Sequence, residues 1–481
     1  MKIALLPLDD RPVSVQLPQQ VAALHGLELV IPPLETLGHF MRAGDTGLAA
    51  SWLREQAAQV DAAVINVDAL CYGGLIQGRQ PHVPLAAALE RLSLLTELRA
   101  DFPRLRILAV SVIMRTTITA SNAAQMPFYE AMGEFVQLRS LLPGRPDLQP
   151  EFERLQSFLP AELVGEFDAA RARNHHINRA CLELCSAGVI ERLLLLQEDC
   201  TPAGPHRAEQ RALLQERRAL GLADRAFLHP GADEGSAMCL AVLAAQDQPL
   251  TYQLCVTNSA TFHQPTPFED RSIARSFLGQ ARVLGLRRKA AADRLIFLHT
   301  PEATDQQIEA GLDTLAQALE RHCAVYVGDL DHPNGGDSRL VHALVRRGLL
   351  NELSGYAAWN TAGNAIGTLL SMIVPDRPEE AAHEVAFLTR LMDDWWYQTV
   401  ARPAINAALL DTGHDSVCLD TEGVREAQRL LRQLWETQRP AWMTERPTPE
   451  LSFPWPRTFE VALDWPQRVG TAAGQNMEEK P

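Results

Sequence analysis

The sequence has no uninterrupted apolar stretch of the roughly 18 residues that a membrane helix needs, so neither a spanning helix nor a membrane partner is expected. The apolar run at the N-terminus is too short for a secretory leader and ends in Asp9-Asp10, not at a small-residue cleavage site. There is no C-x-x-C pair among the eight cysteines, and Cys181 and Cys185 are spaced like a packed helix face. That scatter predicts neither a disulfide framework nor a zinc site, and it points to a reducing cytoplasm. No stripe of basic residues exists; the balance is 44 Lys+Arg against 59 Asp+Glu, net −15, which excludes a nucleic-acid binder. The chain also lacks a P-loop, a G-x-G-x-x-G after its first strand and a G-x-S-x-G, so no nucleotide cofactor and no serine-hydrolase elbow is predicted. Repeats and low-complexity segments are missing as well.

What the chain does have is alternation. Apolar runs of strand length occupy residues 3–8, 27–31, 62–67, 106–113, 192–197, 226–229, 252–256, 295–299, 324–327 and 355–359, with helix-period segments such as 49–59, 85–100 and 304–321 between them. Most runs are continuously apolar, as strands buried on both faces are. This predicts an α/β fold with parallel strands and crossover helices, a (β/α) barrel-like core. Ten strands exceed the eight of a closed barrel. Either the barrel carries extra α/β elements, or a barrel-like domain is followed by a smaller α/β unit from about Thr251. Residues 1–375 form the expected catalytic domain, with a helical insertion at about 130–180. Residues 376–481 form a mostly helical C-terminal region, adding few catalytic groups and ending in a polar, disordered tail after about Gly470.

Polar residues of a chemical kind collect after the strands, on the edge where parallel sheets bind ligands. They are Asp9, Asp10 and Arg11; Asp68 with Tyr72; Arg115; Glu198 and Asp199; Asp233 and Glu234; Asn334 and Asp337; and Trp359 and Asn360. The densest is His229-Pro230-Gly231-Ala232-Asp233-Glu234, a strand, a glycine turn and two adjacent carboxylates at a helix start. Neighbouring acids can divide labour if their surroundings drive their pKa values apart. Simpler roles stay open: Asp233 as an N-cap with Glu234 in the first turn, Asp9 as a cap with Arg11 as its partner, Asp337 as the cap of the helix from Ser338, and Trp359 as core. His175-His176 read as a solvated helix face, and Trp395, Trp396 and Trp455 as packing.

Leu-Pro-Leu-Asp-Asp-Arg-Pro at 6–12, Asp68 with Tyr72-Gly73-Gly74, Pro230 to Glu234, Asn334-Gly335-Gly336-Asp337, and Trp359 to Asn364 resemble the bacterial "domain of unknown function 4127" family. The likeness spans nearly the whole chain. Gly231-Ala232-Asp233-Glu234 is also similar to the Gly-x-Asp-Glu motif of family-20-type β-N-acetylhexosaminidases, although it follows the sixth strand here and an earlier one there. That second resemblance implies a barrel hydrolase in which Asp233 orients the acetamido group of a 2-acetamido sugar. Glu234 would then be the general acid of a substrate-assisted reaction. Arg11, Asp10, Asp68 and Asn360 would hold hydroxyls, Trp359 would lie beneath the ring, and neither cofactor nor metal would be required. Two rivals are a metal-dependent hydrolase or lyase using Asp9, Asp10, Asp68, Glu198 and Asp199, and a non-catalytic sugar-binding protein. The oligomeric state is not legible in the sequence.

Overall fold

The computed structural model describes residues 1–120, 122–245, 250–374 and 378–466. Six parallel strands form the first sheet: β1 (Lys2–Leu6), β2 (Glu28–Val30), β3 (Ala62–Asn66), β4 (Arg106–Ile113), β5 (Arg192–Gln197) and β6 (Ala226–Pro230), in the order β2-β1-β3-β4-β5-β6. Five more form a second parallel sheet: β7 (Thr251–Val256), β8 (Arg287–Arg288), β9 (Arg294–His299), β10 (Ala324–Asp329) and β11 (Gly355–Ala357), in the order β11-β10-β9-β7-β8. The fold is therefore α/β with parallel strands, and every expected strand exists. The hydrogen-bonded ladders of the described residues do not close a ring; the second sheet begins at Thr251, where a separate α/β unit was one expectation.

Apolar helices fill the space between the sheets. The helix Gly235–Ala244 is apolar all round, as a helix enclosed on every side must be. It packs on Pro12–Leu24 and on Ala362–Ser371. A Cβ on Gly367 would overlap Glu234 Cγ and lie 3.1 Å from Met238 Sδ. Alanine normally favours a helix, but overpacking here outweighs that gain. Gly367→Ala should lose about 1–3 kcal/mol in urea unfolding.

The insertion after β4 consists of the helices Met126–Leu141, Gln149–Phe158 and Ala161–Ser186. Beyond the second sheet lie Glu380–Arg390, a π-helical stretch Leu391–Ala401, Arg402–Asp411 and Thr421–Gln438. The last strands, β12 (Glu450–Ser452) and β13 (Ala462–Asp464), pair only with each other, so no strand of either main sheet comes from the described residues beyond 378. The expected boundary at 375–376 and the tail after Gly470 lie outside the described residues. No helix among the described residues is long and apolar enough to cross a membrane.

Candidate functional site

The carboxyl ends of both sheets face one cavity of about 450 Å³, a size that suits a small ligand. The first sheet contributes Arg11 after β1, Arg79 after β3, Arg115 after β4, Glu198 and Asp199 after β5, and Asp233 after β6. The second contributes Phe268 and Glu269 after β7, Asn334 after β10, and Asn360, Thr361 and Asn364 after β11. Between β1 and β3 the first sheet reverses its winding, and such a switch point is where open α/β sheets leave a crevice.

At the floor, Arg11 joins two carboxylates. Its Nε donates to Asp9 Oδ2 at 2.9 Å and its Nη2 to Asp233 Oδ1 at 2.7 Å. Asn360 Nδ2 donates to Asp233 Oδ2 at 3.2 Å, so both oxygens of Asp233 accept, one of them from a guanidinium. Burial raises the Asp233 carboxyl and Arg11 opposes that rise. Asn364 Oδ1 accepts the N–H groups of Ala232 and Asp233, which fixes the turn. Nearby, Arg79 pairs with Glu198 and Arg115 with Asp199 (2.9 Å). Asn334 and Asn360 both have positive φ, 62° and 66°, and Asn334 N–H donates to Asn360 C=O at 2.9 Å. Left-handed backbone is uncommon for non-glycine residues and here lies in the loops that face the cavity.

Glu269 is a second acid of the cavity, in surroundings unlike those of Asp233. It lines the cavity yet is 2 % exposed. Its Oε1 accepts the Gly363 N–H and its Oε2 faces Ser276 Oγ at 3.4 Å, both neutral donors. Burial pushes its pKa up to about 7.

Several predicted site residues lie elsewhere. Glu234 is fully buried and outside the cavity lining: its Oε2 accepts the Ala232 N–H at 3.0 Å, its Oε1 has no hydrogen-bond partner and lies 3.8 Å from His229 Nδ1, and Gly367 covers its stem. The helix start turns it inward, so it does not line the cavity with Asp233 as expected, although burial raises its carboxyl well above the usual range. Asp9 stands behind Arg11 and also accepts from Ser14 Oγ at 2.7 Å. Asp10 Oδ1 accepts from Trp455 Nε1 and its Oδ2 pairs with His39, so it braces the wall. Asp68 ties β3 to β4 by accepting the Val112 N–H, and Tyr72 is buried under Arg173. Asp337 caps the helix Ser338–Arg346 and pairs with His299. Trp359 is 5 % exposed, in the core against Phe459, and does not line the cavity.

The C-terminal region contributes more than expected: Arg402, Trp455, Arg457 and Phe459 all line the cavity. The alternation of Trp455, Arg457 and Phe459 was the available signal, but nothing in one sequence places that segment against β1. Glu269 was visible only as one acid of Glu269-Asp270-Arg271. The acids a metal-dependent reaction would use here are already engaged: Asp9 by Arg11, Glu198 by Arg79, and Asp199 by Arg115. Two trios elsewhere bring potential ligand atoms within 4.8 Å of one another, Cys200-His206-Asp270 and His299-Asp331-Asp337, and an arginine pairs with an acid in each.

Glu234→Gln keeps the acceptor for the Ala232 N–H. We expect a stability change within about 1.5 kcal/mol and none of the loss in turnover, about 10²-fold or more, that removing a proton donor brings. Urea unfolding and steady-state rates check this.

Over residues 3–464 the chain matches the family described as "Protein of unknown function (DUF4127)", and it belongs to that family. No curated protein matches it. Among solved structures it is similar to the carboxyl transferase domain from Rhizobium etli pyruvate carboxylase, at 11% identity and a TM-score of 0.19. That alignment covers 91% of this chain and 61% of the other, and at such a score it carries no argument. The likeness of residues 231–234 to hexosaminidases is carried by that tetrapeptide alone.

Proposed function

We propose that this member of the DUF4127 family is a glycoside hydrolase acting on a 2-acetamido sugar, with Asp233 and Glu269 as its working acids. The observation that supports this reading is the contrast between two carboxyls on one cavity. Asp233 is held as an acceptor by Arg11 and Asn360, while Glu269 lies among neutral donors with a pKa of about 7. Burial raises both carboxyls, but Arg11 favours the anion at Asp233 alone, and unlike surroundings of this kind can set an acid beside its anionic partner.

In the proposed reaction the substrate's acetamido oxygen bonds to the anomeric carbon as the glycosidic C–O bond breaks. Asp233 accepts the acetamido N–H on a remaining lone pair and steadies the positive charge that develops. Glu269 gives its proton to the leaving oxygen, then takes one from the water that opens the ring intermediate. Asn334 Oδ1, buried without a partner, is free to accept a sugar hydroxyl. All eight cysteines are free thiols, which suits a reducing cytoplasm as the compartment.

The test is a screen of aryl GlcNAc and GalNAc glycosides, in both anomers, with and without chelator. Chelator-resistant turnover of a 2-acetamido substrate supports the reading. Turnover only with added divalent ion overturns it in favour of a metal-dependent reaction; tight sugar binding without turnover assigns a binding protein.

A further inference from the structure

Three guanidiniums alternate with two aromatic rings along the part of the cavity built by the C-terminal region. Arg11 lies 5.3 Å from the Trp455 ring, and Arg457 lies 4.6 Å from Trp455 and 5.4 Å from Phe459. Arg402 closes the stack at 4.6 Å from Phe459. Cations over ring faces are attracted to the quadrupole, more so where water is excluded.

The cations in this stack differ in one respect. Arg11 has Asp9 and Asp233, and Arg457 has Glu460. Arg402 makes no ion pair among the described residues. Its Nη1 donates to Gln398 Oε1 at 2.9 Å, and its Nε is buried without a partner. The acids near it are already engaged, Glu460 by Arg457 and Asp393 by Arg390. A half-buried charge without a counter-ion of its own loses solvation that one amide oxygen and a ring face return only in part, and a ligand closing over the cavity would deepen that loss.

We propose that Arg402 seats an anionic group on the substrate, a carboxylate, sulfate or phosphate carried by the sugar. The inference names the substrate class of the hydrolase proposed above and rests on it for the sugar. A planar guanidinium matches such oxyanions with paired N–H donors, and the Phe459 face fixes its plane. Charge pairing in a low-dielectric cavity then separates an acidic sugar from its neutral counterpart.

Calorimetric titration of the full chain with matched sugars tests this without requiring turnover. N-acetylmuramic acid differs from N-acetylglucosamine by one lactyl carboxylate; N-acetylglucosamine 6-sulfate and 6-phosphate supply the other two oxyanions. We expect at least one acidic sugar to bind about ten-fold or more tightly than N-acetylglucosamine, with a preference that shrinks as salt is added. Which of the three binds best identifies the oxyanion. Arg402→Gln should abolish the preference, and Arg402→Lys, which keeps the charge but not the fork, should retain part of it. Equal binding of acidic and neutral sugars, no binding of any of them, or an unchanged preference in a folded Arg402→Gln variant overturns the proposal. A salt-sensitive acidic preference without turnover of any glycoside leaves this site standing and removes the hydrolase reading instead.

Discussion

Glu269→Gln should lower kcat by about 10²–10⁴-fold, the usual contribution of a positioned proton donor. The substitution keeps the acceptor for the Gly363 N–H and the shape of the side chain, so the fold should persist. The loss should shrink for a dinitrophenyl glycoside, whose leaving group departs without a proton. The pH profile gives a second reading of the same residue. Glu269 must be protonated to act first, and burial sets its pKa at about 7, so wild-type kcat/KM should fall as pH rises through about 7. Glu269→Gln should lose that limb. Stability carries the same sign. The folded pKa lies above the ordinary 4.5, so the folded state binds more protons between these values and is favoured at the acid end. Urea unfolding should show stability lost between pH 4.5 and about 7, and less of this loss in Glu269→Gln. A rate unchanged by the substitution would remove Glu269 from the chemistry.

Arg11→Met should destabilise the protein by about 3–5 kcal/mol, the cost of stranding buried charges by removing one partner. Arg11 is 4 % exposed and is the cation shared by Asp9 and Asp233, which are equally enclosed. Without it, two buried carboxylates lose their shared cation, and protonation relieves the charge that Ser14 and Asn360 alone cannot offset. The variant's stability should therefore recover on acidification, as the stranded acids take up protons. Arg11→Lys keeps the charge but not two directed bonds and should fall between the two. Asp9→Asn in the Arg11→Met background should restore part of the loss, because the two sites share one network and their effects are not additive. Equilibrium unfolding of the four proteins in urea measures these differences; a loss for Arg11→Met of under about 1 kcal/mol would show the pair to be solvated like a surface bridge.

The periodicity of the chain was enough to find ten of the eleven strands of the two main sheets, missing the two-residue β8, since runs such as Arg192–Gln197 are apolar on both faces whatever sheet they join. For the same reason it could not say which sheet each joins, and a closed barrel and two covered open sheets read alike. The residues nearest the strand ends were legible as a site where the loop is short: Arg11, Arg115, Glu198, Asp199, Asp233, Asn334 and Asn360 all reach the cavity. Adjacent residues exchange roles by the direction in which the backbone turns. Asp233 faces the cavity while Glu234, one residue on, turns beneath it against Gly367, and no pattern in the sequence separates them.

The sequence by itself determined the α/β class, the parallel strands and the edge on which polar groups gather, because these follow from local apolar periodicity and strand polarity. Only the tertiary structure decided which acids share a solvent-excluded space. Glu269 owes its raised pKa to burial, beside a helix start whose Gly363 N–H, 94 residues away in the chain, partly opposes the rise, and Arg402 comes to the cavity on a segment expected to add few catalytic groups. Burial and unmatched charge are properties of packing between segments far apart in the chain, and no local pattern encodes them.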